Sequence, residues 1–131
     1  MATSDLLVSA PDFRTPDLWE ALEVLHVQPA LYDSLTFGLV AMDLEGTVIA
    51  YNTAEAEFAG IAAQRQIGLN FFREVAPCTN NYIVAGRFED ESHLDETIPY
   101  TFTVKMRPAR VRLRLLKRES GEREYLAVEW N

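Results

Sequence analysis

The chain has one cysteine, Cys78, the only side chain with thiol chemistry to offer. It stands in Ala76-Pro77-Cys78-Thr79, just ahead of a helix expected to run from Tyr82 to Glu91. Backbone N–H groups and the dipole at a helix start would favour a thiolate, the form of cysteine that attacks and bonds. A lone cysteine more commonly fills a core as a small apolar group, so residue type alone leaves its use open. One cysteine excludes an internal disulfide, and no His/Cys cluster has the spacing of a zinc site.

Tyr51 and Glu55 are a second candidate pair. Tyr51 ends an expected strand and Glu55 lies on the helix that begins beside it, so four residues of chain can bring a phenol and a carboxyl together. If that helix packs on a sheet, Glu55 is buried. A buried carboxyl prefers its neutral form and can then donate a hydrogen bond. A phenol beside a neutral acid suits a buried anion such as a phenolate or an enolate. The alternative is that Glu55 and Glu57 coat a solvated helix face.

The elements that must position these residues follow from periodicity. Residues 1 to about 14 show no period and read as a mobile arm or a weakly docked lead-in. Thr15-Pro16 reads as an N-cap followed by proline in a first helical turn; Leu18, Leu22 and Leu25 recur at helical spacing beside Trp19, and Pro29 closes the helix. Phe37 to Asp43 and Thr47 to Asn52, around Leu44-Glu45-Gly46, read as a hairpin. Short helical segments follow: Thr53 to Phe58 ending at Gly60, Ala62 to Gln66 ending at Gly68, and a turn over Asn70 to Val75 stopped before Pro77. From Thr97 the period becomes two, with Ile98, Tyr100, Phe102, Val104 and Met106 on one face. Val111, Leu113 and Leu115 alternate with arginines, and Glu119 to Glu122 turns the chain into Tyr125 to Trp130. Two strands, several short helices and three long strands predict an α+β fold: a five-stranded antiparallel sheet with short helices covering one face and an N-terminal helical cap.

That layout resembles a PAS domain, and two segments make the resemblance more specific. Asn70 to Thr79 (NFFREVAPCT) and Asp43 to Glu55 (DLEGTVIAYNTAE) are similar to the photoactive yellow protein family of bacterial blue-light receptors, with Tyr100-Thr101-Phe102 and Met106-Arg107-Pro108 matching as well. The resemblance divides the chain into an arm and helical cap, 1–28, and a PAS domain, 29–131. It implies p-coumaric acid bound as a thioester to Cys78, with Tyr51 and Glu55 hydrogen-bonding its phenolate oxygen and Glu55 donating a proton after photoisomerisation. Phe71, Tyr100, Phe102, Met106 and the positions of Ala59 and Ile61 would surround it. Three residues depart from the family pattern: Ala59 replaces a threonine that supports the tyrosine, Ile61 an arginine that covers the pocket, and Val104 a tyrosine on the third strand.

A non-photoactive PAS module for ligand sensing or protein interaction is the competing expectation. An enzyme using Cys78 as acyl acceptor fits less well, because His26 and His93 lie outside the motifs and no histidine base accompanies the thiol. Bulk properties agree with a sensor domain. The 131 residues suit one core, and 48% hydrophobic with 24% charged residues suggests neither disorder nor a fibrous class. No apolar run approaches the roughly 18 residues of a membrane span, and Met1 to Ser9 lacks the basic start of a secretory signal, so a cytoplasmic protein is expected. The net charge of −8 argues against nucleic-acid or membrane partners. Residues 105–131 are nonetheless basic, with 8 basic against 4 acidic side chains, and are expected to face acidic segments of the same chain. The N-terminal helix could cap its own sheet or pair with a second copy, and no downstream signalling partner is named by any motif.

Overall fold

Every residue of Gly38 to Met42 is buried although successive strand residues point to opposite sides, so the sheet that contains them is covered on both faces. The computed structural model describes residues 10–104 and 107–130, the side chain of Val104 excepted. Five strands, β1 (Gly38–Asp43), β2 (Val48–Tyr51), β3 (Leu94–Val104), β4 (Arg107–Lys117) and β5 (Arg123–Trp130), form an antiparallel sheet in the order β2-β1-β5-β4-β3.

On the inner face, Val40, Met42, Phe102, Leu113, Leu126 and Val128 meet the helical segments between β2 and β3. These are α2 (Thr53–Ala59), a 3-10 turn at Ala63–Arg65, a π turn at Phe71–Val75, a 3-10 turn at Pro77–Thr79 and α3 (Ala85–Asp90). On the outer face, Leu39, Ala41, Leu116, Tyr125 and Ala127 are sealed by Phe13, by Leu18 and Leu22 of α1 (Leu18–Leu25), and by Tyr32 of the 3-10 turn Pro29–Ser34. The stripe predicted on α1 thus packs on the chain's own sheet.

Polar groups hold the cap down. The Tyr125 hydroxyl donates to Glu23 at 2.6 Å and meets the Tyr32 hydroxyl at 3.0 Å; Tyr32 in turn meets His26 Nδ1 at 2.9 Å. Arg114, 8% exposed, grips both oxygens of Asp95 and donates to the carbonyls of Phe13 and Thr15 at 2.9 Å. Arg118 pairs with Asp17 and lies over the Trp19 ring, and Arg123 reaches Glu23. The basic C-terminal strands therefore do meet acidic segments upstream, as charge patterning suggested.

Several boundaries differ from expectation. Thr15 does not cap α1: its hydroxyl closes a turn back to Asp12, and the helix starts after Asp17, which is held in the left-handed region at φ 53°. Pro29 does not close α1 either, since the helix ends at Leu25 and Pro29 opens the following 3-10 turn. β3 begins at Leu94, three residues before the predicted start. The helix expected from Tyr82 begins only at Ala85, because Asn81 Oδ1 accepts from the N–H groups of Ile83 and Val84 and holds that stretch as a turn.

Candidate functional site

Asn52 sets the position of Glu55. Its side chain, 2% exposed, caps α2 by accepting from Glu55 N–H at 3.0 Å and accepts from Leu39 N–H at 2.9 Å. Its amide donates to the carbonyls of Tyr32 and Phe37, so all its polar capacity is used in tying the helix start to β1. Gly60, at φ 73°, ends the helix in the left-handed conformation that favours glycine.

Fixed this way, α2 turns Glu55 inward to complete burial, while Glu57 stays exposed. Burial pushes the Glu55 carboxyl up to about 8, so it is mostly neutral near pH 7. Trp130 Nε1 donates to its Oε1 at 2.8 Å, and Oε2 is buried without a partner among the described residues. Tyr51, 6% exposed, ends β2 in the same core, and burial first, then the nearby Glu55 carboxyl, raises its phenol pKa. Among the described residues no hydrogen bond joins Tyr51 to Glu55: spacing brought them near each other in the inner core without linking them.

The segment carrying Cys78 is fastened along the free edge of β2. Val48 N–H donates to Leu69 O at 2.8 Å, Gly68 N–H to Val48 O at 2.9 Å, and Phe71 N–H to Gly46 O at 2.8 Å. Asn70 and Glu74 cap the π turn reciprocally, each side chain accepting from a backbone N–H. This buries Phe71 and Phe72, in edge contact at 5.5 Å, and brings Cys78 to the rim of the inner core, half-buried.

Cys78 is held from both ends. Thr103 N–H donates to its Sγ at 3.3 Å and the thiol faces Thr103 O at 3.5 Å. The Tyr100 hydroxyl donates to the Cys78 carbonyl, and Asn81 Nδ2 reaches that carbonyl at 3.1 Å and the hydroxyl at 2.7 Å. The helix start expected at Tyr82, just past Cys78, is absent, as α3 begins at Ala85; the thiol's polar neighbours are instead backbone atoms of β3.

The remaining predicted residues fall as follows. Phe102 is buried and edge-on to Trp130 at 5.7 Å; Ala59 is buried on α2; Ile61 packs half-buried against the inner core. Met106 lies outside the described residues. His26 sits on the outer face and His93 is exposed, so neither accompanies Cys78. Among the described residues no cluster could hold a metal ion, and no described helix is long and apolar enough to cross a membrane. Sequence reasoning missed Trp130, although the alternation Leu126, Val128, Trp130 was enough to place it on the inner face.

No family model matches the chain. It is 35% identical over 103 residues to the photoactive yellow protein of Rhodothalassium salexigens, an alignment spanning 76% of this chain and 82% of that protein. The chain belongs to the photoactive yellow protein family. The family's protein from Rhodobacter capsulatus is 31% identical over 109 residues, 81% of this chain and 88% of that one. Among solved structures, the photoactive yellow protein domain of a sensor histidine kinase from Rhodospirillum centenum matches with TM-score 0.70 and 36% identity, over 77% of this chain and 91% of that domain. A PAS domain from Haloarcula marismortui shares the fold at 16% identity, with TM-score 0.61 over 82% of this chain and 96% of that one. This member of the photoactive yellow protein family therefore has a PAS fold, and its relatives are photoreceptor and sensor domains.

Proposed function

We propose that this protein is a blue-light receptor that carries p-coumaric acid as a thioester on Cys78 Sγ. The observation that carries the reading is Glu55: wholly buried, largely neutral near pH 7, and with one carboxyl oxygen that has no partner among the described residues. An unpaired buried polar atom is costly unless something meets it, and a neutral carboxyl facing an anion is a fitting donor. The donor set therefore suits a phenolate.

When bound, the p-coumaroyl group supplies a pigment that absorbs blue light and a vinyl bond that isomerises. Cys78 holds it covalently, with the backbone of Thr103 orienting the sulfur and Tyr100 and Asn81 fixing the Cys78 peptide. Glu55 holds a proton on its carboxyl and releases it to the anion; the carboxylate left behind is a buried charge whose cost favours rearrangement of what surrounds it. Tyr51 adds a second O–H donor from the end of β2. Phe71 and Phe102 exclude water, and Met106 and Ile61 are assigned to the pocket's border by the resemblance. Ala59 offers a methyl where the family has a hydroxyl, so it gives Tyr51 no hydrogen bond. A cytoplasmic location and a protein partner downstream complete the reading.

The test is an absorption spectrum after incubation with an activated p-coumaroyl thioester, beside Cys78→Ala, before and after blue light. A visible band that needs Cys78, bleaches and recovers in the dark supports the receptor. Absence of a Cys78-dependent band sinks it and leaves a PAS module that kept the residues without the pigment.

A further inference from the structure

We infer that Trp130 is a positioning residue that fixes the orientation of the Glu55 carboxyl and thereby which of its oxygens carries the proton. Its consequence for light sensing rests on the role proposed above for Glu55; the pairing itself belongs to the chain without pigment.

An indole N–H can only donate. Of the two oxygens of a neutral carboxyl, the carbonyl oxygen is the better acceptor, so the 2.8 Å bond from Trp130 Nε1 assigns that role to Oε1. The proton is then on Oε2, the atom with no partner among the described residues. Rotation of the carboxyl would swap the two, and the surroundings oppose it. Gly38 lies against the carboxyl so closely that even a β-carbon there would fall 1.9 Å from Oε1. The indole is itself wedged, with its ring centroid 5.7 Å from both Phe58 and Phe102. Its donor also outlasts proton transfer: once Glu55 is a carboxylate, the same N–H makes a charge-assisted bond, stronger than the neutral one. Trp130 thus aims the proton in one state and steadies the charge in the other.

Few ionisable groups face Glu55. Tyr51 does so from β2, Glu57 and Arg107 border the cleft beside Phe58 and Trp130, and Glu129, next along β5, is paired with Arg14. Among the described residues, the indole is thus the group that hydrogen-bonds the carboxyl directly.

Trp130→Phe keeps an aromatic ring between Phe58 and Phe102 while removing the donor together with the pyrrole half of the indole. In the full chain without pigment, the infrared C=O stretch of protonated Glu55, assigned with isotope-labelled glutamate and Glu55→Gln, is expected to move to higher frequency in Trp130→Phe. The titration midpoint of Glu55 is expected to rise by about one unit. Unchanged frequency and midpoint in a folded variant overturn the assignment. Should that variant not fold, the unsubstituted protein answers: the Trp130 indole N–H resonance is expected to follow the Glu55 titration and to lose that step in Glu55→Gln, with Trp19 as internal reference. An indole resonance that ignores the titration also overturns it. A protein that takes up no pigment yet shows these shifts would fail as a photoreceptor while the Trp130 assignment stands.

Discussion

A β-carbon on Gly38 would sit 1.9 Å from Glu55 Oε1, 3.0 Å from its Cδ and 3.1 Å from its Cβ, so the strand and the acid share a space that admits no methyl. Gly38→Ala must therefore displace the carboxyl and break its bond to Trp130. Overpacking of this kind costs about 1–3 kcal/mol, which denaturant melts would register. The displaced acid should also lose its coupling to the Trp130 indole resonance. A melt and a resonance identical to those of the parent would contradict the close packing.

Glu55 and Glu124 give the unpigmented protein an unusual pH profile. Glu124, 1% exposed on β5, is pushed up to about 8 by burial, with Asp43 and Glu89 adding and the Lys117 ammonium opposing. Both carboxyls thus have folded values above the ordinary 4.5. Between about pH 4.5 and 8 the folded state binds more protons than the unfolded state, so their stabilising effect is full at the acid end and is lost as pH rises through about 8. Denaturant melts at pH 5 and 8.5 should show lower stability at the higher pH, with a smaller loss in Glu124→Gln. Equal losses in parent and variant would place Glu124 outside the effect.

Asn52→Ala removes the α2 cap and takes away the side-chain partners of the buried Leu39 N–H and Phe37 carbonyl, while the Tyr32 carbonyl keeps the Leu35 N–H. A lost cap costs about 1 kcal/mol and each buried orphan about 1–3, so a loss of about 3 kcal/mol or more is expected. A chemical melt within 1 kcal/mol of the parent would mean that water or a rearranged helix start satisfies these groups.

Arg114→Lys keeps a charge but cannot span Asp95 and two carbonyls at once. Faster amide exchange around residues 13–15 is expected, with little change at Cys78. Protection unchanged around those residues would show that Phe13 and α1 hold the lead-in without the fork.

Deleting residues 1–28 removes α1 from the face opposite Glu55 and Cys78. In pigment-loaded protein the deletion should change the rate of dark recovery more than the absorption colour. Recovery at the parent's rate would argue against the cap as the signalling element.

The strands were legible because alternation over β3, β4 and β5 is long and each inward residue meets the same core. The inward turn of Glu55 was not, since spacing on a seven-residue helix suits a buried and a solvated acid equally; the decision is made by Asn52, whose bonds reach 15 and 20 residues away. Helix starts failed where side chains compete for backbone donors, at Thr15 and Asn81. Trp130 meets Glu55 across 75 residues of sequence, a separation that no local pattern encodes.

Glu129 and Trp130 are neighbours on β5, and neighbours on a strand point to opposite sides. One carries the carboxylate that meets Arg14 in the lead-in to the cap, the other the indole that meets Glu55 in the pocket. The two layers of the molecule, separated by the thickness of the sheet, are thus joined at this point by a single peptide bond. A substitution at either position is therefore one peptide bond away from the contact on the opposite face.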